Sequence, residues 1–322
     1  MLDHDVHRSL EDIHTPSATY SKLYYWLTLT KELDQRAVQL HGQGLISTFP
    51  SSAGQEALFV GTGFAMDYDD IYIPYYRDHG AMVQRDVSLD AILSYWGGLQ
   101  LPAECGYGHD YPFCVPIASQ TTHAVGAAFT LHYRKDAAIV VCSLGDGATS
   151  KGDFYEALNY CCLHGLPVLF NINVNKWAIS TPIAQQTCNL YDKLSGFDCD
   201  IVQLESHDII SVIDSVTQAK QSILQNARPH IILHHTHRLS PHTTSDDATR
   251  YTDPATLAHQ KVHFDPIHCF RNILQDAYGY SDESLEDIEA LACFDVAKAV
   301  DRFKTKVENV TDLKEFVYAS DS

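Results

Sequence analysis

The sequence is short of cations: 22 Lys and Arg stand against 41 Asp and Glu, a formal net charge of −19. Nucleic-acid backbones are held by clusters of Lys and Arg, so sequence-independent nucleic-acid binding is excluded and no such partner is expected. Any phosphate the chain binds is held locally, by backbone N–H groups, a few basic residues or a metal ion. No segment approaches the ~20 consecutive apolar residues that a membrane-spanning helix needs, so no membrane partner is expected either. The nine cysteines lie at irregular spacings with no C-x-x-C pair, and Cys161-Cys162 sits in what reads as a buried helix. That pattern supports neither a metal cluster nor a disulfide framework and points to a reducing compartment. The opening residues, MLDHDVHRSLEDIHTPSATYSK, hold no apolar h-region and no Arg-rich transit character, so a cytoplasmic location is expected.

What is present is a globular chain of 322 residues, 45% of them apolar, enough to bury the core of one large α/β domain or two ordinary ones. Apolar and aromatic positions recur at helical spacing from Tyr20 to Leu40, and a second helix starts near Gln55-Glu56-Ala57. Ile71 to Pro74 reads as a short strand, residues 87–96 as helix, and residues 101–116 as an irregular loop. From Ala124 the pattern is regular: a small-residue helix to His132, a strand from Ala137 to Ser143, a helix from Asp153 to Leu163 and a strand from Val168 to Ile172. Strand, crossover helix and strand form a βαβ unit, which implies a parallel sheet. The grammar repeats with strands at Ile201 to Leu204 and His230 to His234 around a helix from Ile209 to Gln225. The predicted fold is therefore α/β, a doubly wound parallel sheet with helices on both faces. The expected organisation is an N-terminal helical extension over 1–50, an α/β core over 51–252, and a helical C-terminal extension of the same domain over 253–322, ending in Glu315-Phe316-Val317-Tyr318.

Chemistry concentrates at one turn. Ser143-Leu144-Gly145-Asp146-Gly147-Ala148 follows a strand of buried character and precedes a helix, and ligands in such sheets bind at the carboxyl ends of strands. Gly145 and Gly147 let the backbone turn tightly and bring N–H groups near an anion, while Asp146 supplies a hard oxygen. The next strand runs into Asn173-Val174-Asn175-Lys176-Trp177, which presents an amide oxygen at the same edge. A lone Gly-Asp-Gly is more often a bare turn. Here Asp146 and Asn175 lie about thirty residues apart, one βαβ unit, which brings both to neighbouring strand ends. A carboxylate, an amide carbonyl, a backbone carbonyl and phosphate oxygens together make an octahedral Mg²⁺ site.

Gly-Asp-Gly followed at this interval by Asn resembles the signature of thiamine-diphosphate enzymes. The segments GDGATSKGDFYEALN, LPVLF, NKWAISTP and HTTSDDATRY closely resemble the alpha subunits of 2-oxo acid dehydrogenases, in particular bacterial pyruvate dehydrogenases of the α2β2 type. The likeness runs from about Leu33 to Tyr318 and includes SSAGQEAL, YYRDHGAM and CVPIASQTTHAVGAA. The resemblance implies a thiamine-diphosphate-binding fold in which Asp146, Asn175 and the Trp177 carbonyl bind Mg²⁺ and the Gly147 and Ala148 amides meet the diphosphate. Tyr76 and Arg77 match a diphosphate-contacting pair, a role that suits the bidentate guanidinium. Val115 and Ile117 fall where the family holds the aminopyrimidine ring through backbone atoms, although their side chains read equally as ordinary core. His242 matches a histidine beside the cofactor that stabilises charge during decarboxylation and reductive acylation. With 18 histidines in the chain, it is the motif that separates it from the rest.

By the same resemblance the carbanion of thiamine adds to a 2-oxo acid, CO₂ leaves, and the acyl group passes to a lipoyl arm. The implied partners are a beta subunit in an α2β2 heterotetramer, which carries the glutamate that activates the aminopyrimidine, and a lipoyl-bearing acyltransferase core. Pyruvate is the expected substrate, ahead of branched-chain 2-oxo acids. Several positions mark a divergent member. Val174 replaces the middle residue of Asn-Asn-Asn, and His237-Arg238-Leu239-Ser240-Pro241-His242 stands for Tyr-Arg-Leu-Gly-Asp-His. A glycine lost and a proline gained stiffen that loop, so His242 is expected to sit differently. Two other readings follow: an acetoin dehydrogenase alpha subunit, which shares the metal motif, and a non-catalytic or regulatory paralogue that keeps the fold.

Overall fold

The computed structural model describes residues 16–99, 108–113 and 115–309. Much of the loop expected at 101–116, and the segment Glu315 to Tyr318, lie outside the described residues. Helix α1 (Pro16–Gly42) turns Tyr25, Leu29, Leu33, Ala37 and Leu40 inward, the spacing of one helical face. After α2 (Glu56–Ala65) and β1 (Ile71–Ile73) come a short helix, α3 (His79–Gln84), and α4 (Leu89–Trp96), which starts where the Ser88 side chain accepts from the Ala91 N–H. The regular βα succession follows: α5 (Ser119–Arg134), β2 (Val140–Gly145), α6 (Gly152–His164) and β3 (Val168–Val174). A hairpin of β4 (Trp177–Ala178) and β5 (Thr181–Pro182) leads through two short helices, α7 (Ile183–Gln186) and α8 (Leu190–Leu194). The core closes with β6 (Asp200–Glu205), α9 (Ile209–Asn226) and β7 (His230–His235). The C-terminal helices are α10 (Pro254–His263), α11 (Pro266–Tyr278) and α12 (Asp282–Asn309). Asp253 and Asp265 each cap a helix whose first residue is proline, the arrangement that favours a sharp start.

Five strands form one sheet in the order β1-β2-β3-β7-β6, every neighbouring pair parallel. Alternation along the strands sorts side chains to two faces. Val141, Leu169 and Ile232 face α1, α4, α9 and α12. Val140, Cys142, Phe170 and Leu233 face α5 and α6, where Ala124, Ala128, Phe154 and Leu158 meet them. The sheet is thus covered on both sides, as the near-continuous apolar strands require. The expected doubly wound α/β fold is what forms. Several boundaries differ by a few residues, two of them for a plain reason. The small-residue helix begins at Ser119 instead of Ala124, because the Gln120 amide is tied to the Ser143 carbonyl at 2.9 Å and Thr121 is buried in its first turn. The following strand begins at Val140 instead of Ala137, where pairing with Val168 starts. No helix of the described residues is long and apolar enough to cross a membrane, and the seven described cysteines are free thiols.

Candidate active site

The sheet register levels the carboxyl ends of three strands: Gly145 of β2 lies opposite Asn173 of β3, and Asn173 lies opposite His234 of β7. Past those ends, and past the end of β1, a cavity of about 350 Å³ opens. Its walls include Tyr76 and Arg77 from the end of β1, and Asp146, Gly147 and Ala148 from the 3₁₀ turn after β2. Asn175 and Trp177 come from the end of β3 and the hairpin, Val115 and Ile117 from the approach to α5, and His242 from the loop after β7. Every residue singled out in the sequence therefore borders one space. Val115 and Ile117 are each 45% exposed, which removes the reading of them as ordinary core.

Asp146 has the properties of a cation ligand. It is nearly buried, its Oδ1 accepts from the Gly147 N–H at 2.9 Å, and its Oδ2 is buried without a hydrogen-bond partner. Burial pushes its carboxyl up to about 6 against the backbone hydrogen bonds that lower it. A buried carboxylate oxygen left unpaired is costly unless something positive meets it. Asn175 presents Oδ1 to the Trp177 N–H at 3.1 Å and turns Nδ2 to the Gln55 Oε1 at 3.0 Å. These donors are hard oxygens of the type Mg²⁺ takes. Gly147 is required by close approach: a Cβ there would lie 2.9 Å from the Ala178 Cβ of the hairpin.

The other wall is cationic. Arg77 is buried, donates to the Ser51 carbonyl, and reaches His242 at Nδ1 (3.2 Å) and at its carbonyl (3.1 Å). Arg238 comes to the same Nδ1 at 3.4 Å and donates to the Ile179 carbonyl and the Tyr251 hydroxyl, both at 2.9 Å. A guanidinium only donates, so Nδ1 of His242 accepts and its ring proton stands on Nε2. Burial, then Arg77 and Arg238, hold the imidazole down to about 3, against Asp246, which raises it. The His242 N–H donates to Asp246 Oδ2 at 2.8 Å, and Tyr251 donates to the same oxygen. The loop that carries Pro241 is anchored on its far side by Asp246 and Tyr251, and His242 borders the cavity. Val174 is buried among the apolar residues of the α5–α6 face, which accounts for a valine between two asparagines.

Beneath the wall lies a buried amide network that sequence reasoning did not assign. Gln55 accepts from both Asn173 (2.7 Å) and Asn175 (3.0 Å), and Asn173 also meets Tyr75 (2.9 Å) and Thr236 (2.6 Å). The one sequence signal was polarity itself: Asn171 and Asn173 interrupt an apolar strand, and buried amides need partners.

A parallel α/β sheet with one unpaired carboxylate oxygen and the Arg77 guanidinium at one cavity along its carboxyl edge is an arrangement that can hold an anionic ligand. The particular family follows from comparison with known proteins. The chain belongs to the dehydrogenase E1 component family, whose model matches residues 24–311. It is similar to the 3-methyl-2-oxobutanoate dehydrogenase subunit alpha of Mycobacterium tuberculosis, 34% identical over 86% of this chain and 76% of that one. It is also similar to the pyruvate dehydrogenase E1 component subunit alpha of Mycoplasma genitalium, 30% identical over 79% of this chain and 71% of the relative. The human mitochondrial 2-oxoisovalerate dehydrogenase subunit alpha is 28% identical over 86% of this chain and 64% of its own length.

Proposed function

We propose that the chain is the alpha subunit of a thiamine-diphosphate-dependent 2-oxo acid dehydrogenase, carrying the metal-and-diphosphate half of the site and working with a beta subunit and a lipoyl-bearing acyltransferase. The observation that carries this reading is the buried Oδ2 of Asp146 without a hydrogen-bond partner, on a residue that lines the same cavity as Asn175 at the end of β3. In this reading Asp146, Asn175 and the Trp177 carbonyl hold Mg²⁺. The Gly147 and Ala148 amides, Tyr76 and Arg77 hold the diphosphate, and the backbone at Val115 and Ile117 holds the aminopyrimidine.

Thiamine diphosphate, when bound, supplies the carbon nucleophile and the electron sink for decarboxylation. The chain supplies position and field. Arg77 lines the cavity, and its guanidinium can pair with an anionic group of the ligand. His242, held neutral with its proton on Nε2, offers an N–H that can donate to developing negative charge. Its neutrality is maintained by burial and, after that, by the two guanidinium groups, so it acts as a donor and not as a fixed cation.

Pyruvate is the first substrate of this proposal. 3-Methyl-2-oxobutanoate stands beside it, because the mycobacterial relative of that name matches this chain at 34% identity over 284 residues, against 30% over 256 for the Mycoplasma genitalium pyruvate enzyme. Reconstitution with a cognate beta chain and a lipoyl acceptor is expected to give Mg²⁺-dependent turnover of a 2-oxo acid. Turnover of acetoin alone would overturn the reading. In the same assembly Asn175→Ala is expected to weaken Mg²⁺-dependent cofactor binding by at least about tenfold, and unchanged binding would sink the metal assignment.

A further inference from the structure

We propose that Gln55 is a positioning residue that, together with the Trp177 N–H, locks the Asn175 amide with its oxygen toward the cation, and thereby sets the metal affinity of the site. The inference rests on the metal assignment above. An amide can serve a hard cation only through its oxygen, because the amide nitrogen has no free lone pair, so the side chain must be held in one of its two orientations.

The orientation follows from a one-way chain of donors. The Trp177 backbone N–H can only donate, so the Asn175 atom 3.1 Å away is the oxygen. Asn175 Nδ2, which can also only donate, then points at Gln55, so the atom it meets at 3.0 Å is Oε1. That oxygen accepts as well from Asn173 Nδ2 at 2.7 Å. Asn173 in turn takes the Thr236 hydroxyl on its Oδ1 at 2.6 Å and gives a second hydrogen bond to the Tyr75 hydroxyl at 2.9 Å. Each link is dictated by the one before it. A reversed Gln55 would set its NH₂ against two other NH₂ groups.

The arrangement has a visible cost. Gln55 is fully buried, yet its Nε2 has no hydrogen-bond partner. A buried amide that gives up both N–H bonds is retained for its oxygen. Gln55 therefore acts as the acceptor that locks two strand-end asparagines, and it does so from the N-cap of α2, more than a hundred residues earlier in the chain. Asn175 Oδ1 is left with one lone pair on Trp177 and the other available at the cavity wall.

The test uses the chain assembled with its beta subunit, with thiamine diphosphate binding followed by calorimetry across Mg²⁺ concentrations. Gln55→Met, which removes the acceptor at similar length, is expected to raise the Mg²⁺ needed for half-maximal binding about tenfold or more. At saturating Mg²⁺ its diphosphate affinity and thermal midpoint should stay near wild type. Gln55→Glu keeps an oxygen against both amides and is expected to retain a near-wild-type Mg²⁺ requirement. An unshifted Mg²⁺ requirement in Gln55→Met overturns the proposal, as does an affinity loss that is the same at every Mg²⁺ concentration, which is what a merely structural role would give. If Gln55→Met does not fold, Gln55→Glu decides alone, and a tenfold rise in its requirement overturns the proposal. Wild-type protein that binds the cofactor without Mg²⁺ removes the functional reading as well, whereas Mg²⁺ dependence preserved in both proteins removes only this inference.

Discussion

Glu56, the residue after Gln55, is buried with its Oε2 accepting from the Gly54 N–H at 2.8 Å. Burial, then Asp265, push its carboxyl from 4.5 up to about 8, while its backbone hydrogen bond and Lys31 pull the other way. The native state thus holds a proton that the unfolded chain releases. The stability Glu56 contributes is fully present below about 4.5 and is lost as pH rises through about 8. Asp34 works in the same direction, raised by burial to about 6. His79 and His234 work oppositely. Both are buried and lowered from 6.5 to about 3, so their contribution is present above 6.5 and lost as pH falls toward 3. Glu56→Gln keeps an acceptor for Gly54 and removes the titration. It is expected to raise the unfolding free energy by about 4 kcal/mol near pH 8, from relief of about three pK units of strain. The advantage should fade toward pH 5. Urea unfolding at several pH values checks this, and a pH-independent difference would show that Glu56 is not titrating in this window.

At the scale of elements, the β4–β5 hairpin is the strained part of the site. Lys176 has φ +71 and Ile179 φ +57, and neither is glycine. A β-branched residue in the left-handed region is costly, and such strain persists only where its surroundings hold it. Here the Arg238 guanidinium takes the Ile179 carbonyl at 2.9 Å, and Ala178 packs against Gly147. The Ile179 side chain is 56% exposed, so little burial is at stake. Ile179→Gly is expected to stabilise the protein by about 1 kcal/mol, read as a higher thermal midpoint. A lower midpoint would mean that the side chain packs more than its exposure indicates.

The same elements show what could be read beforehand. Strands buried on both faces announce themselves as apolar runs, which is why Val168–Val174 and His230–His235 were legible nearly to their ends. A hairpin of two-residue strands has no periodicity to read, and α3 was hidden inside a stretch noticed for its motif. Asp146 and Asn175 were legible because one βαβ unit separates them. Gln55 and Arg238 were not assigned, because their meaning depends on contacts between segments far apart in the chain, the end of β3 for Gln55 and the hairpin for Arg238, while Asp246 sits in an irregular loop whose hydrogen bonds leave no periodicity to read.

At the scale of the molecule, the cavity lining includes Val115, Ile117 and Ile179, all substantially exposed, and the helix that follows, α5, carries Phe129 at 45% and Tyr133 at 80% exposure. Exposed apolar side chains at the cavity, on a chain carrying −19 charges, have the character of a surface that a second chain covers. The ionisable residues of the described cavity wall are Tyr75, Tyr76, Arg77, Asp146 and His242, and no described glutamate lines it. The isolated chain is therefore expected to fold and to show no 2-oxo acid turnover, with activity rising as beta subunit is added and levelling off near equimolar ratio. Hydrogen exchange at residues 115–133 should slow on assembly in the same titration, while the β2 and β3 core, already covered on both faces, should not change. Substantial turnover by the chain alone would mean that the proton-transfer group lies within it, and slowed exchange elsewhere with none at 115–133 would move the interface away from the mouth of the cavity.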